Sequence, residues 1–226
     1  MKACSLSFKL GFAVLLVVLV SACATTTIPY DYSAFKESRP KSILVLPPTN
    51  ESPEVDATYG MLSQTTLPLA ESGYYVFPVA VVDETFKQNG MTSPAQIQEV
   101  PFSKLYEIFG ADAALYINVK EYGTSYKVVS SETRVTAEGK LVDLKTGTTL
   151  WTGTATAASG TGNNSNNGLL GMLVEALVTQ IVDTVSDRSF TVAGRTSQFL
   201  LSAGRPNGIL YGPRSPLYMK DGSPQP

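Results

Sequence analysis

The 226-residue chain contains no histidine. That removes the commonest general base near neutral pH and the commonest protein ligand for transition metals. Cysteine is almost as scarce, with only Cys4 and Cys23, so a disulfide framework has little to be built from. Charged residues are 16% of the chain, below the usual quarter, which leaves Ser, Thr, Asn, Gly and Tyr to form much of the surface. The basic residues do not cluster along the sequence, which argues against nucleic acid and against anionic lipid as partners. Nor is there any apolar run near the roughly 20 residues that a membrane-spanning helix needs. The chain also lacks a G-x-S-x-G elbow, a Walker-type loop and an internal repeat.

What is present begins at the N-terminus. Lys2 and Lys9 precede an apolar stretch from Leu10 to Val20, which ends in Ser21-Ala22-Cys23. A short basic start, an apolar core of about 11 residues and small residues before the cut make a secretory signal peptide. The cysteine directly after the small residues makes it a lipoprotein signal over residues 1–22. Cleavage between Ala22 and Cys23 would leave Cys23 as the acylated (palmitate-bearing) first residue. Ala24, where Asp would favour inner-membrane retention, points to the outer membrane, periplasmic face by default, with surface exposure left open. Cys4 leaves with the signal and Cys23 is consumed by lipid, so the mature domain has neither free thiol nor disulfide. Loss of Lys2 and Lys9 takes Lys+Arg from 17 to 15 against 19 Asp+Glu, a formal charge of −4.

Residues 23–41 read as a lipid-anchored tether able to span roughly 60 Å when extended, with Tyr30, Tyr32 and Phe35 available to dock. One α/β domain is expected over 42–203. Ser42–Leu46 is a buried central strand. A helix is expected from Pro53 toward Ser72, split or kinked by Pro68 and closed by Gly73. Tyr74–Val82 reads as a second strand interrupted at Pro78, followed by short helices at Asp83–Gln88, Pro94–Glu99 and Phe102–Phe109. From Ala113 the pattern alternates, with Leu115, Ile117 and Val119 against Tyr116, Asn118 and Lys120. With Tyr126–Thr136, Gly139–Leu144 and Thr148–Ala157 it forms an antiparallel meander. Ser159–Gly168 is a polar loop, and Leu169–Ser189 a long helix with a second helical piece at Phe199–Ser202. Residues 204–226 are a Pro/Gly-rich tail, with Tyr211 and Tyr218 able to pin it. The whole predicts a mixed sheet with a right-handed βαβ start, flanked by helices.

Few motifs carry chemistry. Ser33-Ala34-Phe35-Lys36, Ser38-Arg39-Pro40-Lys41, Ser165-Asn166-Asn167 and Lys145-Thr146-Gly147 match pieces of the penicillin-recognising serine enzymes. Their order is wrong, both S-x-x-K matches fall in the tether, and Lys-Thr-Gly reads better as a hairpin turn. The acids at Glu51/Glu54/Asp56 and Asp83/Glu84 read as solvated helix starts, so no metal or cofactor is expected. Asn50 and Glu51 lie just past the C-terminal end of the first strand, where α/β sheets often bind ligands. The apolar stripe of the long helix, with Leu170, Leu173, Val174, Leu177 and Ile181, is broad enough to serve a homodimer as well as the core.

Several segments together resemble one family. They are Lys41–Pro48 (KSILVLPP), Pro68–Pro78 (PLAESGYYVFP), Gly110–Val119 (GADAALYINV), Asp143–Trp151 (DLKTGTTLW) and Tyr211–Arg214 (YGPR). The family is that of bacterial outer-membrane lipoproteins of the neisserial vaccine-antigen type, whose biochemical role is unassigned. The resemblance implies a fold like the N-terminal domain of TolB and the periplasmic domains of the curli-secretion lipoprotein and LpoB. It also implies a non-enzymatic role through contacts with other envelope lipoproteins, a curli-channel-like one among the candidates, and carries no functional residues with it. The leading expectation is therefore a non-catalytic, lipid-anchored periplasmic module assisting an envelope assembly or secretion complex. The alternatives are a subunit of a curli-channel-like pore and a small-ligand-binding lipoprotein. The meander's Lys120, Glu121, Lys127, Glu132, Arg134, Glu138 and Lys140 weigh against a pore, because they crowd the face that lipid would need.

Overall fold

The computed structural model describes residues 30–127, 130–160 and 185–221. The predicted signal peptide, Ala22, Cys23 and the helix face of Leu170, Leu173, Val174, Leu177 and Ile181 lie outside these residues, as does Ser165-Asn166-Asn167. A compact unit begins at Asp31. It is a mixed α/β structure whose described residues form one six-stranded sheet in the order Tyr75–Val76, Ser42–Val45, Ala113–Lys127, Ser130–Asp143, Thr149–Gly160, with Thr49–Asn50 also paired to Ala113–Lys127.

Strand β1 (Ser42–Val45) takes the centre because its residues are apolar on both faces; Ile43, Leu44 and Val45 are fully buried. It pairs in parallel with β3 (Tyr75–Val76) on one side and β4 (Ala113–Lys127) on the other. Pro47 and Pro48 cannot donate to a ladder, so pairing stops and resumes as β2 (Thr49–Asn50), again on β4. Two helical crossovers link the parallel strands. Helices α2 (Ala57–Ser63) and α3 (Thr66–Glu71) lead to β3; α4 (Val79–Gln88), α5 (Pro94–Gln98) and α6 (Phe102–Phe109) lead to β4. Strands β5 (Ser130–Asp143) and β6 (Thr149–Gly160) complete the antiparallel meander. Their connecting turn is Lys145-Thr146-Gly147, with Gly147 at φ +73° and Asp143 Oδ1 accepting the Lys145 and Thr146 N–H groups at 2.8 and 2.9 Å.

The helix expected from Pro53 toward Ser72 is split as expected, into two helices that part at Gln64-Thr65; its start and other elements depart from the expectation, for local reasons. The Pro68 ring would collide with the carbonyl four residues earlier, that of Gln64, and Thr65 Oγ1 donates to Leu62 O at 2.7 Å in the gap. The first of the two begins only at Ala57, leaving Ser52–Asp56 outside the helix and Val55 88% exposed. The second strand is only Tyr75–Val76. Val79–Val82 continue with helical spacing into Phe86, so Val82 and Phe86 are buried one turn apart on α4. Finally, α7 (Val185–Leu201) runs unbroken through Ser189 to Leu201. Its inner face includes Thr196 and Ser197, whose hydroxyls donate to Val135 O and Val192 O (3.1 and 3.0 Å) and to Gln64 O (2.8 Å).

The sheet separates two cores. On one face Leu44, Leu46 and Ala114 meet Val82, Phe86, Ile97 and Leu105 from α4, α5 and α6. On the other, α7 lies across β5 and β6 with α2 beside it. Trp151, 1% exposed, fills the space above two glycines there. A Cβ on Gly153 would come within 2.2 Å of its ring, and one on Gly139 would meet both the ring and Leu200. The two ends of the described chain also pack. Helix α1 (Ser33–Ser38) lies where tether was expected, with Phe35 buried and Tyr32 Oη donating to Gly208 O at 2.6 Å. The tail is held by Gly212 N–H on Ser72 O (2.8 Å) and Arg214 N–H on Gly73 O (3.0 Å).

Candidate functional site

Because side chains alternate along a strand, burying Leu115, Ile117 and Val119 turns Tyr116, Asn118 and their cross-strand neighbours outward. The register sets Tyr116 beside Lys140 on β5, and Asn118 beside Glu138, which adjoins Thr154 on β6; Lys140 adjoins Thr152. Helices α4–α6 cover β1 and β4 on this side, whereas Glu138, Lys140, Thr152 and Thr154 remain exposed. The result is a shallow polar groove of about 680 Å³, walled by Gln98 of α5. Gln98 is itself fixed, donating to Pro47 O and Ile117 O at 3.0 Å each. Lys140 Nζ sits 5.1 Å from the centre of the Tyr116 ring.

Asn50 and Glu51 lie near this groove, on a strand segment that continues the β4 pairing rather than at an open strand end. Asn50 is a local clip: its Oδ1 accepts from Ser52 N–H (2.8 Å) and Ser52 Oγ (2.7 Å), and its Nδ2 donates to Glu54 O (2.8 Å). Glu51 Oε1 accepts from Asn118 Nδ2 at 2.7 Å and Lys120 Nζ at 2.8 Å. The Lys120 hydrogen bond, helped by Asn118, holds the Glu51 carboxyl below its ordinary value. The structure thus joins Glu51 to the groove through Asn118 and ties up the Asn50 amide.

The serine-enzyme pieces come partly together. Ser38, at the end of α1, donates its hydroxyl to Asp143 Oδ2, one turn from Lys145-Thr146-Gly147. Lys145 Nζ instead approaches Asp112 Oδ1 at 3.3 Å. Burial pushes the Asp143 carboxyl up, but the bonds from Ser38 and from the Thr146 and Lys145 N–H groups outweigh it and hold the group below its ordinary value. The arrangement works as a clamp on the β5–β6 turn. Among the described residues no group of His, Cys, Asp and Glu is placed to hold a metal ion, and no helix is long and apolar enough to cross a membrane.

A second concavity, of about 170 Å³, lies between α1 and the tail. Its floor includes Tyr74, buried, with Oη donating to Leu210 O at 2.5 Å; burial pushes that phenol well above its ordinary value. Lys36 and Arg39 of the α1 segment and Tyr218 and Met219 of the tail line it. Asp221 also lines it and accepts the Tyr211 N–H at 2.6 Å. Arg39 and Met219 are two of three non-glycine residues with positive φ among the described residues, at +46° and +64°. Sequence reading missed this site because its two halves lie some 180 residues apart. The only signal was the expectation that Phe35 and Tyr218 would each pin a terminal segment.

With this geometry in hand, comparison with known proteins is direct. A family model described as GNA1162-like, a lipoprotein family, matches residues 30–214. A lipoprotein of Neisseria meningitidis serogroup B is 54% identical over 199 residues, covering 88% of this chain and 92% of that one. The crystal structure of lipoprotein GNA1162 from Neisseria meningitidis has 59% sequence identity and a TM-score of 0.53, over 64% of this chain and all of that one. A fainter likeness is to the LpoB C-terminal domain from Salmonella enterica, with 17% identity, a TM-score of 0.39, and 52% of this chain and 82% of that one covered.

Proposed function

The chain belongs to the GNA1162-like lipoprotein family, and from that premise we propose that it is a non-catalytic module of the bacterial envelope. It is anchored by acylated Cys23 at the outer membrane and acts by contacting other envelope proteins. The observation that carries this reading is the outer face of β5 and β6. One face of those strands is sealed by α7 and Trp151, while the other presents Glu138, Lys140, Thr152 and Thr154 to solvent. A sheet face this polar gains little from burial within its own chain, yet offers many hydrogen-bonding groups to a partner. Among the described residues Ser38, Asn50 and Gln98 are each held in bonds that shape the fold.

In-cell crosslinking from a photoreactive residue at position 154 tests this reading. The expected product is a discrete set of envelope proteins, absent when the same residue stands at exposed position 107 on α6. Recovery of nothing but lipid and self from position 154 would reject the assembly role. For the anchor, Cys23→Ser is expected to abolish palmitate labelling and to shift the protein out of the outer-membrane fraction of a sucrose gradient. A variant that remained there would overturn the address.

A further inference from the structure

We infer that the concavity between α1 and the tail is a seat for the phosphodiester headgroup of a membrane phospholipid, and that this end of the domain rests on the bilayer holding the anchor. The inference rests on the reading of Cys23 as the acylated residue. Seven residues, or eight Cα–Cα steps, lie between Cys23 and Asp31, where the compact unit begins. An extended chain of that length reaches no more than about 28 Å, so α1 and the tail packed against it must work close to the membrane.

The chemistry of the site fits that position. Exposed Lys36 and Arg39 line it together with Tyr74, Tyr211 and Tyr218. The two segments that form it, 31–41 and 205–221, carry six basic side chains against three acidic ones in a chain whose formal net charge is −2. The one carboxylate lining the site, Asp221, already accepts the Tyr211 N–H. Next to the cations the tail presents Leu217 and Met219, 45% and 61% exposed. Such a rim suits the boundary between headgroups and acyl chains. A volume of about 170 Å³ admits a phosphate with part of its glycerol but not an acyl chain.

The backbone adds an independent argument. Arg39 occupies the left-handed position that closes α1, with its N–H on Phe35 O, where glycine is the least strained residue. Met219 also sits in left-handed backbone. Strain of this kind persists where the side chain is needed, and here both strained side chains belong to one cavity.

The test uses the mature chain with Cys23→Ser, which keeps every other residue and carries no acyl group. It is expected to co-sediment with vesicles of phosphatidylethanolamine and phosphatidylglycerol at 3:1, and to do so poorly with phosphatidylcholine alone. Arg39→Gly and Lys36→Gln should each lower partitioning about fivefold. Arg39→Gly relieves the backbone, so its melting temperature should stay level or rise, and a loss of binding cannot be put down to misfolding. Unchanged partitioning in both variants, or no binding by the parent, overturns the proposal. If inorganic phosphate raises the melting temperature while vesicles do not bind, the site serves free phosphate and the membrane assignment fails. Palmitate labelling of the native chain is read separately. Loss of labelling with vesicle binding intact removes the anchor premise and leaves the headgroup seat standing.

Discussion

Trp151 and its two glycines show how little room single positions leave in this fold. The indole Nε1 donates to Asn207 O at 2.9 Å, so the ring cannot swing away to admit a methyl group at Gly153. We expect Gly153→Ala to cost about 2 kcal/mol or more, read as a lower urea midpoint with Trp fluorescence as the probe; an unchanged midpoint would mean that the ring relaxes. Asp143 carries a different expectation. Its folded value lies below the ordinary aspartate 3.8, and Asp112 is also held low: burial pushes it up, but the Lys41 N–H, Lys145 and Ser42 outweigh that. The unfolded chain therefore takes up protons first as pH drops. The stabilisation is fully present above about pH 4 and is lost as pH falls through the folded values. Urea midpoints measured from pH 5 to 2.5 should decline, and Asp143→Asn should flatten part of the slope. Identical slopes in the two proteins would exclude Asp143 as a source.

Elements that bury a purely apolar pattern were legible, and those that mix polarity into the core were not. Ile43-Leu44-Val45 announces a central strand, and the alternation from Ala113 announces a half-wet one. Helix α7 hides its inner face because Thr196 and Ser197 stand where apolar residues would reveal the stripe. Their hydroxyls are satisfied by carbonyls of α7, β5 and the α2–α3 connection, partners that no local pattern reveals. Leu200 is one of the apolar side chains that α7 packs on the meander, lying beside Gly139 near the Trp151 ring. Leu200→Ala should destabilise the domain by roughly 2–4 kcal/mol. A loss under 1 kcal/mol in denaturant titration would show that α7 contributes little to holding the sheet. The short β3 teaches the same lesson in reverse. Val79–Val82 read as strand because of composition, yet the spacing of Val82 and Phe86 commits them to α4.

For the molecule as a whole, address and architecture come from different places. The lipobox at Cys23, the absence of histidine and the strand–helix–strand–meander order are written locally. They sufficed for a mixed α/β domain and for the expectation that Cys23 carries its anchor. Local spacing likewise set the polar face of β4, β5 and β6, since alternate residues of a strand must face opposite ways. Only the tertiary structure decided what those residues do. It tied up Asn50 in a turn, linked Glu51 to Asn118 and Lys120, and placed Ser38 on Asp143. It also brought Lys36 and Arg39 into one cavity with Tyr218 and Met219 of the tail. The physical reason is distance along the chain. Periodicity and capping act over a few residues, whereas hydrogen bonds such as Tyr32 to Gly208 and Tyr74 to Leu210 join segments more than 130 residues apart and exist only once the whole sheet has been built.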